Sequence, residues 1–244
     1  SEVVERNPEA TASRLALAQA LAAKNDVDGA SRELAAAIAI APKDPQPRIL
    51  LVQILTVAKR YDAALRALED LRGVVTEPAV VANLRGTIYA VQGKVGEARK
   101  QFEAALAEQP GYPPASHNLA QLEIRAKRPD LARQAYRSSL EKFPNDVTLI
   151  QSLVALERQA NRFDEARTLL EAAHKRQPND PTLAALLARE HLSRGDAGAA
   201  LAVTQQAAIA KPADRALLDL RTFVSKNFSV AVAMMAICMG SLFG

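Results

Sequence analysis

Nucleophilic and metal chemistry usually starts from histidine and cysteine, and this chain holds three histidines and one cysteine. His117, His174 and His191 make no metal-ligand spacing with one another or with Cys238. Gly-rich phosphate loops are missing. A single cysteine allows no internal disulfide. Arg, Asp and Glu are plentiful, but in helical stretches such residues serve as solvated faces or i,i+4 partners. The expectation is a non-enzyme without catalytic, cofactor-binding or metal-ligating residues. What remains is recognition by side-chain amides and guanidinium groups, which hydrogen-bond a backbone or a carboxylate.

The charge balance narrows the partners. Lys and Arg number 31 against 27 Asp and Glu, and the two signs are interspersed. Nucleic-acid binders gather their positive charge on one face or in one run, which this chain lacks, so no nucleic acid is expected. Ala and Leu dominate the apolar residues, aromatics make up 4% and Trp is absent. That composition predicts helices rather than strands. Ser1 is not an initiator and no secretory signal opens the chain, which is read as beginning after processing or inside a longer protein.

The elements that position these groups repeat. Pro8 and Pro42 lie 34 residues apart, and Pro110, Pro144, Pro178 and Pro212 continue in the same step. Thr76 stands where one proline is due, and Pro78 follows two residues later. Ala30, Ala64, Ala98, Ala132, Ala166 and Ala200 keep the same spacing. A parallel series of small or modest residues runs Ala18, Val52, Gly86, Ala120, Val154 and Ala188. It is preceded by Leu at every step except Arg85 in the third. Four residues after each alanine come Leu34, Leu68, Phe102, Tyr136 and Leu170, with Thr204 departing.

Each period divides into two amphipathic helical stretches, such as 147–160 and 163–176. Asp44, Asn145-Asp146, Asp180 and Asp214 supply N-cap acceptors before the first stretch. Asn25-Asp26, Gly93-Lys94, Asn161-Arg162 and Gly195-Asp196 mark the turns. Asp62, Asp130 and Asp164 suit the first turn of the second stretch, where the helix dipole favours negative charge. Proline closes the period because it cannot continue a helix interior.

These residues resemble the tetratricopeptide repeat, whose period is 34 residues, with a Leu-small pair, a later Ala, a large apolar residue and a closing Pro. The resemblance implies an all-α, right-handed superhelical α-solenoid of helix-turn-helix repeats. Six repeats are expected at 11–44, 45–78, 79–112, 113–146, 147–180 and 181–214. Residues 1–10 would end a preceding repeat or form an N-terminal cap, and 215–227 would start a further helix or cap. Residues 228–244 carry no charge and leave the repeat, and three readings stand for them. They are a membrane anchor, since about 20 apolar residues span a bilayer, a capping helix over the last repeat, or a segment foreign to the array.

The family's first helices line a concave groove. The resemblance places Gln53, Asn83, Thr87, His117, Asn118, Gln121, Arg125, Gln151, Arg158 and Arg189 along it. The family members that clamp a C-terminal carboxylate use a Lys and Asn set. Leu15, Ile49 and Asn83 occupy positions where a Lys would be wanted, so such a ligand is not expected. Glu123, Glu157 and His191 stand where the family favours an aromatic or apolar residue, either buried and paired or in shallower packing. The resemblance implies a scaffold that binds a protein or peptide. Its Ala-rich style is similar to bacterial envelope and exopolysaccharide-assembly proteins, including exosortase-associated ones, which points to a periplasmic or membrane-associated setting. The alternative is the docking module of a larger enzyme, such as a repeat-containing glycosyltransferase.

The register makes a test. Ala166 and Val154 are predicted to meet where the two helices of one repeat cross, with Leu153 and Leu170 beside them. Ala166→Leu should overpack this contact and destabilise the chain by about 1–3 kcal/mol; an unchanged thermal midpoint contradicts the register.

Overall fold

The computed structural model describes residues 8–210, with side chains over 10–205. Among the described residues there are twelve α-helices and no strand. They come in six consecutive pairs: α1 (Pro8–Ala23) with α2 (Val27–Ile40), α3 (Gln46–Val57) with α4 (Tyr61–Arg72), α5 (Pro78–Val91) with α6 (Val95–Glu108), α7 (Pro113–Arg125) with α8 (Pro129–Lys142), α9 (Val147–Gln159) with α10 (Phe163–Arg176), and α11 (Pro181–Ser193) with α12 (Ala197–Ala210). The architecture is an all-α helical repeat. It divides into two compact units, one ending at Lys142 and the other starting at Phe143.

One turn, repeated six times, makes each pair. Asn25, Lys59, Gly93, Lys127, Asn161 and Gly195 all adopt positive φ, between 58° and 80°. The next N–H then reaches the carbonyl five residues back, as in Asp26 to Leu21, Arg60 to Leu55, Arg128 to Glu123 and Arg162 to Glu157, at 2.8–2.9 Å. This left-handed cap ties off carbonyls that a helix end leaves open and reverses the chain within three residues. Asn and Gly tolerate that conformation readily. Lys59 and Lys127 carry no such preference, so their turns were invisible among the sequence signals and follow from the 34-residue step.

The caps at helix starts match the acidic residues before them. Asp146 accepts from the Leu149 N–H at 2.9 Å, and Asp180 accepts from Thr182 and Leu183 at 2.9 Å. Asp44 accepts from the Gln46 N–H at 2.9 Å although Pro45 holds the cap position. Asp26 and Asp196 do the same for second helices, through Gly29 and Ala199. Two boundaries differ from the expected repeat. Helix α1 already includes residues 8–10, because proline fits the first turn of a helix, where its missing N–H leaves no bond unmade. Between α4 and α5, Gly73 ends the helix at Arg72, and Pro78 opens α5 instead of closing α4.

Burial follows the small-residue series. Ala30, Ala64, Ala98, Ala132, Ala166 and Ala200 are all fully buried, as are Ala18, Ala120 and Ala188. At Gly86 even a methyl group is excluded, since a Cβ there would come within 2.6 Å of the Phe102 ring. Leu34, Leu68, Phe102, Tyr136 and Leu170 are buried beside these crossings. Thr204, the departure from that series, is buried too and gives its hydroxyl to the Ala200 and Leu201 carbonyls, 3.0 Å away. Successive pairs are pinned at the turns by Arg60 on Asp28 and by Arg194 on Asp164 at 2.7 Å. In each case the arginine hydrogen bond, then its charge, holds the aspartate below the usual carboxylate range.

The expected further helix at 215–227, the apolar tail 228–244 and Cys238 lie outside the described residues, as do residues 1–7. Among the described residues no helix is long and apolar enough to cross a membrane.

The lysine turns yield a prediction. A non-Gly residue in the left-handed region costs roughly 1–2 kcal/mol, partly offset in glycine by its freer unfolded chain. Lys127→Gly should therefore raise stability by about 0.5–1 kcal/mol, whereas Lys127→Val should lower it. Urea unfolding midpoints check both.

Candidate functional site

In the first unit α1, α3, α5 and α7 pack against one another in series, and among the described residues no two second helices pack to that extent. The first helices therefore present a continuous face. Its middle is held together by side-chain amides. The Asn118 Nδ2 on α7 donates to Asn83 Oδ1 on α5 at 2.9 Å and to Thr87 Oγ1 at 3.3 Å. The Thr87 hydroxyl in turn donates to the Asn83 carbonyl at 3.0 Å. Asn83 is buried, while Thr87 and Asn118 are half-buried.

A second cluster lies one turn along α7. The Gln121 Nε2 donates to the Tyr136 hydroxyl at 3.1 Å, and the same hydroxyl stands 3.5 Å from His117 Nδ1. The His117 and Tyr136 rings are 5.9 Å apart and tilted. Tyr136 comes from the second helix α8 and is fully buried, so its polar tip reaches the first-helix face from behind. Of the expected groove residues in this unit, five are thus gathered: Asn83, Thr87, Asn118, His117 and Gln121. Gln53 on α3 and Arg125 in the last turn of α7 are exposed and lie outside both clusters.

The second unit places its three candidates differently. Arg158 on α9 forms an ion pair with Glu190 of α11, and its guanidinium lies 6.0 Å from the Phe163 ring centroid. Its charge is therefore answered within the protein. Gln151 is half-buried and Arg189 is exposed.

Glu123 and Glu157, left open by the sequence between two readings, are buried and paired. Glu123 is 1% exposed; it pairs with Arg99 from α6 and, at 2.9 Å, with Arg128 just past its own helix. Glu157 is equally buried and has Arg162 at 3.4 Å, the residue equivalent to Arg128 one repeat on. In the sixth repeat acid and base residues trade places, with His191 Nδ1 4.0 Å from an Asp196 carboxylate oxygen. Sequence reasoning missed two residues. Glu190 sits where earlier repeats carry Ile54, Ile88, Leu122 and Leu156, and that charge at an aliphatic phase was its signal. Tyr136 was read as packing only, although a buried tyrosine hydroxyl needs a partner.

Among the described residues no group of three His, Cys, Asp or Glu side chains comes together to hold a metal ion. A cleft of about 380 Å³ lies on the opposite side of α7, walled by Leu106, Leu119, Leu131 and Ala135, with Arg99 and Glu123 contributing to its lining.

Residues 2–124 match the model of a tetratricopeptide repeat-like domain, and residues 147–190 match a tetratricopeptide repeat model. No curated protein matches the chain. Among solved structures the chain is similar to yeast Tom70, at 19% identity and a TM-score of 0.67, over 88% of this chain and 46% of that one. It is similar to PilW, a widely conserved type IV pilus biogenesis factor, at 19% identity and a TM-score of 0.51, over 86% and 97% of the two chains. It is also similar to a chain of the APC/C hetero-tetramer Cut9-Hcn1, at 16% identity and a TM-score of 0.50, over 91% and 44%. The chain thus spans less than half the length of the Tom70 and Cut9-Hcn1 chains. At these identities the likeness is one of fold.

The buried carboxylate gives the site's stability test. Arg99→Met leaves Glu123 with only the half-exposed Arg128 and should destabilise the chain by about 1–3 kcal/mol. Adding Glu123→Leu should recover most of that loss, because an apolar pair of similar volume replaces a buried ion pair without an orphaned charge. Urea unfolding of the single and double variants measures both steps.

Proposed function

The chain belongs to the tetratricopeptide repeat family, and we propose that it is a protein-protein interaction scaffold that holds a protein or peptide along its first-helix face. The family is in general a non-catalytic scaffold, and the chemistry proposed is recognition rather than reaction. The observation that carries the reading is the cross-repeat amide cluster of Asn83, Thr87 and Asn118 beside His117 and Gln121. Asparagine is a poor helix former, and solvated helix faces gain more from Glu and Lys. Two asparagines inside α5 and α7, bonded to each other, are hard to explain as solvated filler.

An amide both donates and accepts, as a peptide backbone does. Amides already fixed by neighbours have lost their rotamer freedom before a ligand arrives, which lowers the ordering cost of binding. Arg125, exposed in the last turn of α7, adds positive charge beside the cluster and favours a partner with carboxylates near its bound segment. The Ala-rich style of the repeats favours a partner in bacterial envelope or exopolysaccharide assembly.

The test is selection of peptides from a random displayed library on the full chain. Selected peptides should bind Asn118→Ala about tenfold more weakly, the effect of one or two lost hydrogen bonds, and Arg125→Glu more weakly when they are acidic. Peptides whose affinity survives both changes place the binding surface elsewhere.

A further inference from the structure

The groove positions on α7 are not all held by their own helix. Gln121 has two amide hydrogens and one carbonyl oxygen, and the Tyr136 hydroxyl takes one hydrogen at 3.1 Å. That fixes which end of the amide faces inward and turns its carbonyl oxygen away from Tyr136. The same hydroxyl stands at hydrogen-bonding range of His117 Nδ1, one turn back on the same helix. A hydroxyl can accept from one neighbour and donate to another, and a neutral imidazole nitrogen can take that proton. Tyr136 itself is fully buried and offers nothing to a ligand. Its ring is held among the crossing residues of its repeat, whose small partner Ala120 is also fully buried.

We infer that Tyr136 is a positioning residue for the binding face, fixing the Gln121 amide and the His117 ring from beneath. This rests on the first-helix face being the binding surface. The other repeats place Leu34, Leu68, Phe102, Leu170 and Thr204 at this phase. The four apolar ones have no polar tip, and the Thr204 hydroxyl is spent on its own helix. The device therefore belongs to the fourth repeat, next to the amide cluster of Asn83 and Asn118. The ligand it favours is one that donates to the Gln121 carbonyl oxygen, as a backbone N–H does.

Tyr136→Phe tests this because it removes the hydroxyl and keeps the ring. The melting midpoint should move by only a few degrees, about the effect of one hydrogen bond. Peptides selected on the wild-type chain should bind the variant roughly three- to tenfold more weakly. In NMR spectra the Gln121 side-chain amide signals should shift toward those of a free glutamine, and the His117 ring nitrogens should change their tautomer balance, while the Asn118 amide signals stay in place. Unmoved Gln121 and His117 signals overturn the positioning role, whatever the peptides do. Moved signals with unchanged affinity also overturn it, because the side chains set by Tyr136 would then not touch the ligand. Failure of any peptide to bind the wild-type face would instead count against the scaffold reading, and the two failures are thereby distinguishable.

Discussion

Two helices joined by a three-residue turn must lie almost in contact along their first shared turns, and only very short side chains fit there. The alanine series from Ala30 to Ala200 meets this demand, every member being fully buried. The partner series on the first helices adjusts to what stands opposite. Where the second helix brings the Phe102 ring, the first helix offers Gly86, whose missing Cβ leaves the space the ring occupies. Where it brings Leu68 or Leu170, Val52 or Val154 fits. Interior packing near crystal density leaves no slack for a mismatch. Fixing the crossing fixes the rotation of both helices, and rotation decides which residues of a first helix can face outward.

That chain of consequence explains what the sequence disclosed. The period, the alanines, the prolines and the acidic caps are local demands of packing and backbone geometry, and each appears as a residue type at a fixed step. They located the helices almost to the residue, as α9 and α10 illustrate. The turns at Lys59 and Lys127 show the limit of local signals. Lysine has no preference for positive φ, and the surrounding repeat imposes it, as tertiary context overrides propensity elsewhere. Pro78 shows another limit, because the same residue type can close one helix or open the next.

The proposed binding face was legible in outline and not in its bonds. The resemblance placed Asn83, Thr87, His117, Asn118 and Gln121 along the first helices' groove, but did not show that Asn118 bridges the preceding repeat or that Asn83 is buried. Arg158 looked like a free cation because its partner, Glu190, lies on another repeat and at an aliphatic phase. Buried charges of this kind are compensated by residues that sequence distance hides: Arg99 reaches Glu123 from the previous repeat's second helix, and the acid and base trade places between Glu157 with Arg162 and His191 with Asp196. In the first three repeats Leu21, Leu55 and Tyr89 fill this position, so the pairing belongs to the last three repeats.

The face also changes character along the first unit, and this bears on how a ligand would lie. At the phase of Asn83 and His117 the two earlier repeats carry Leu15 and Ile49, both packed against the aliphatic core that runs through the first repeats. At the neighbouring phase Leu50 and Leu84 give way to Asn118. The aliphatic stretch therefore ends where the amide cluster begins, on α5. A segment laid across this boundary meets apolar side chains on one side and hydrogen-bonding groups on the other. In the proposed scaffold its two chain directions are then unequal, since reversal would set the segment's polar side chains against the aliphatic wall and its apolar ones against the amides. Discrimination by unpaired polar groups is stronger than discrimination by shape alone. If the chain binds along this face as proposed, repeats that share one backbone plan would thereby give the ligand an orientation that the plan itself does not supply.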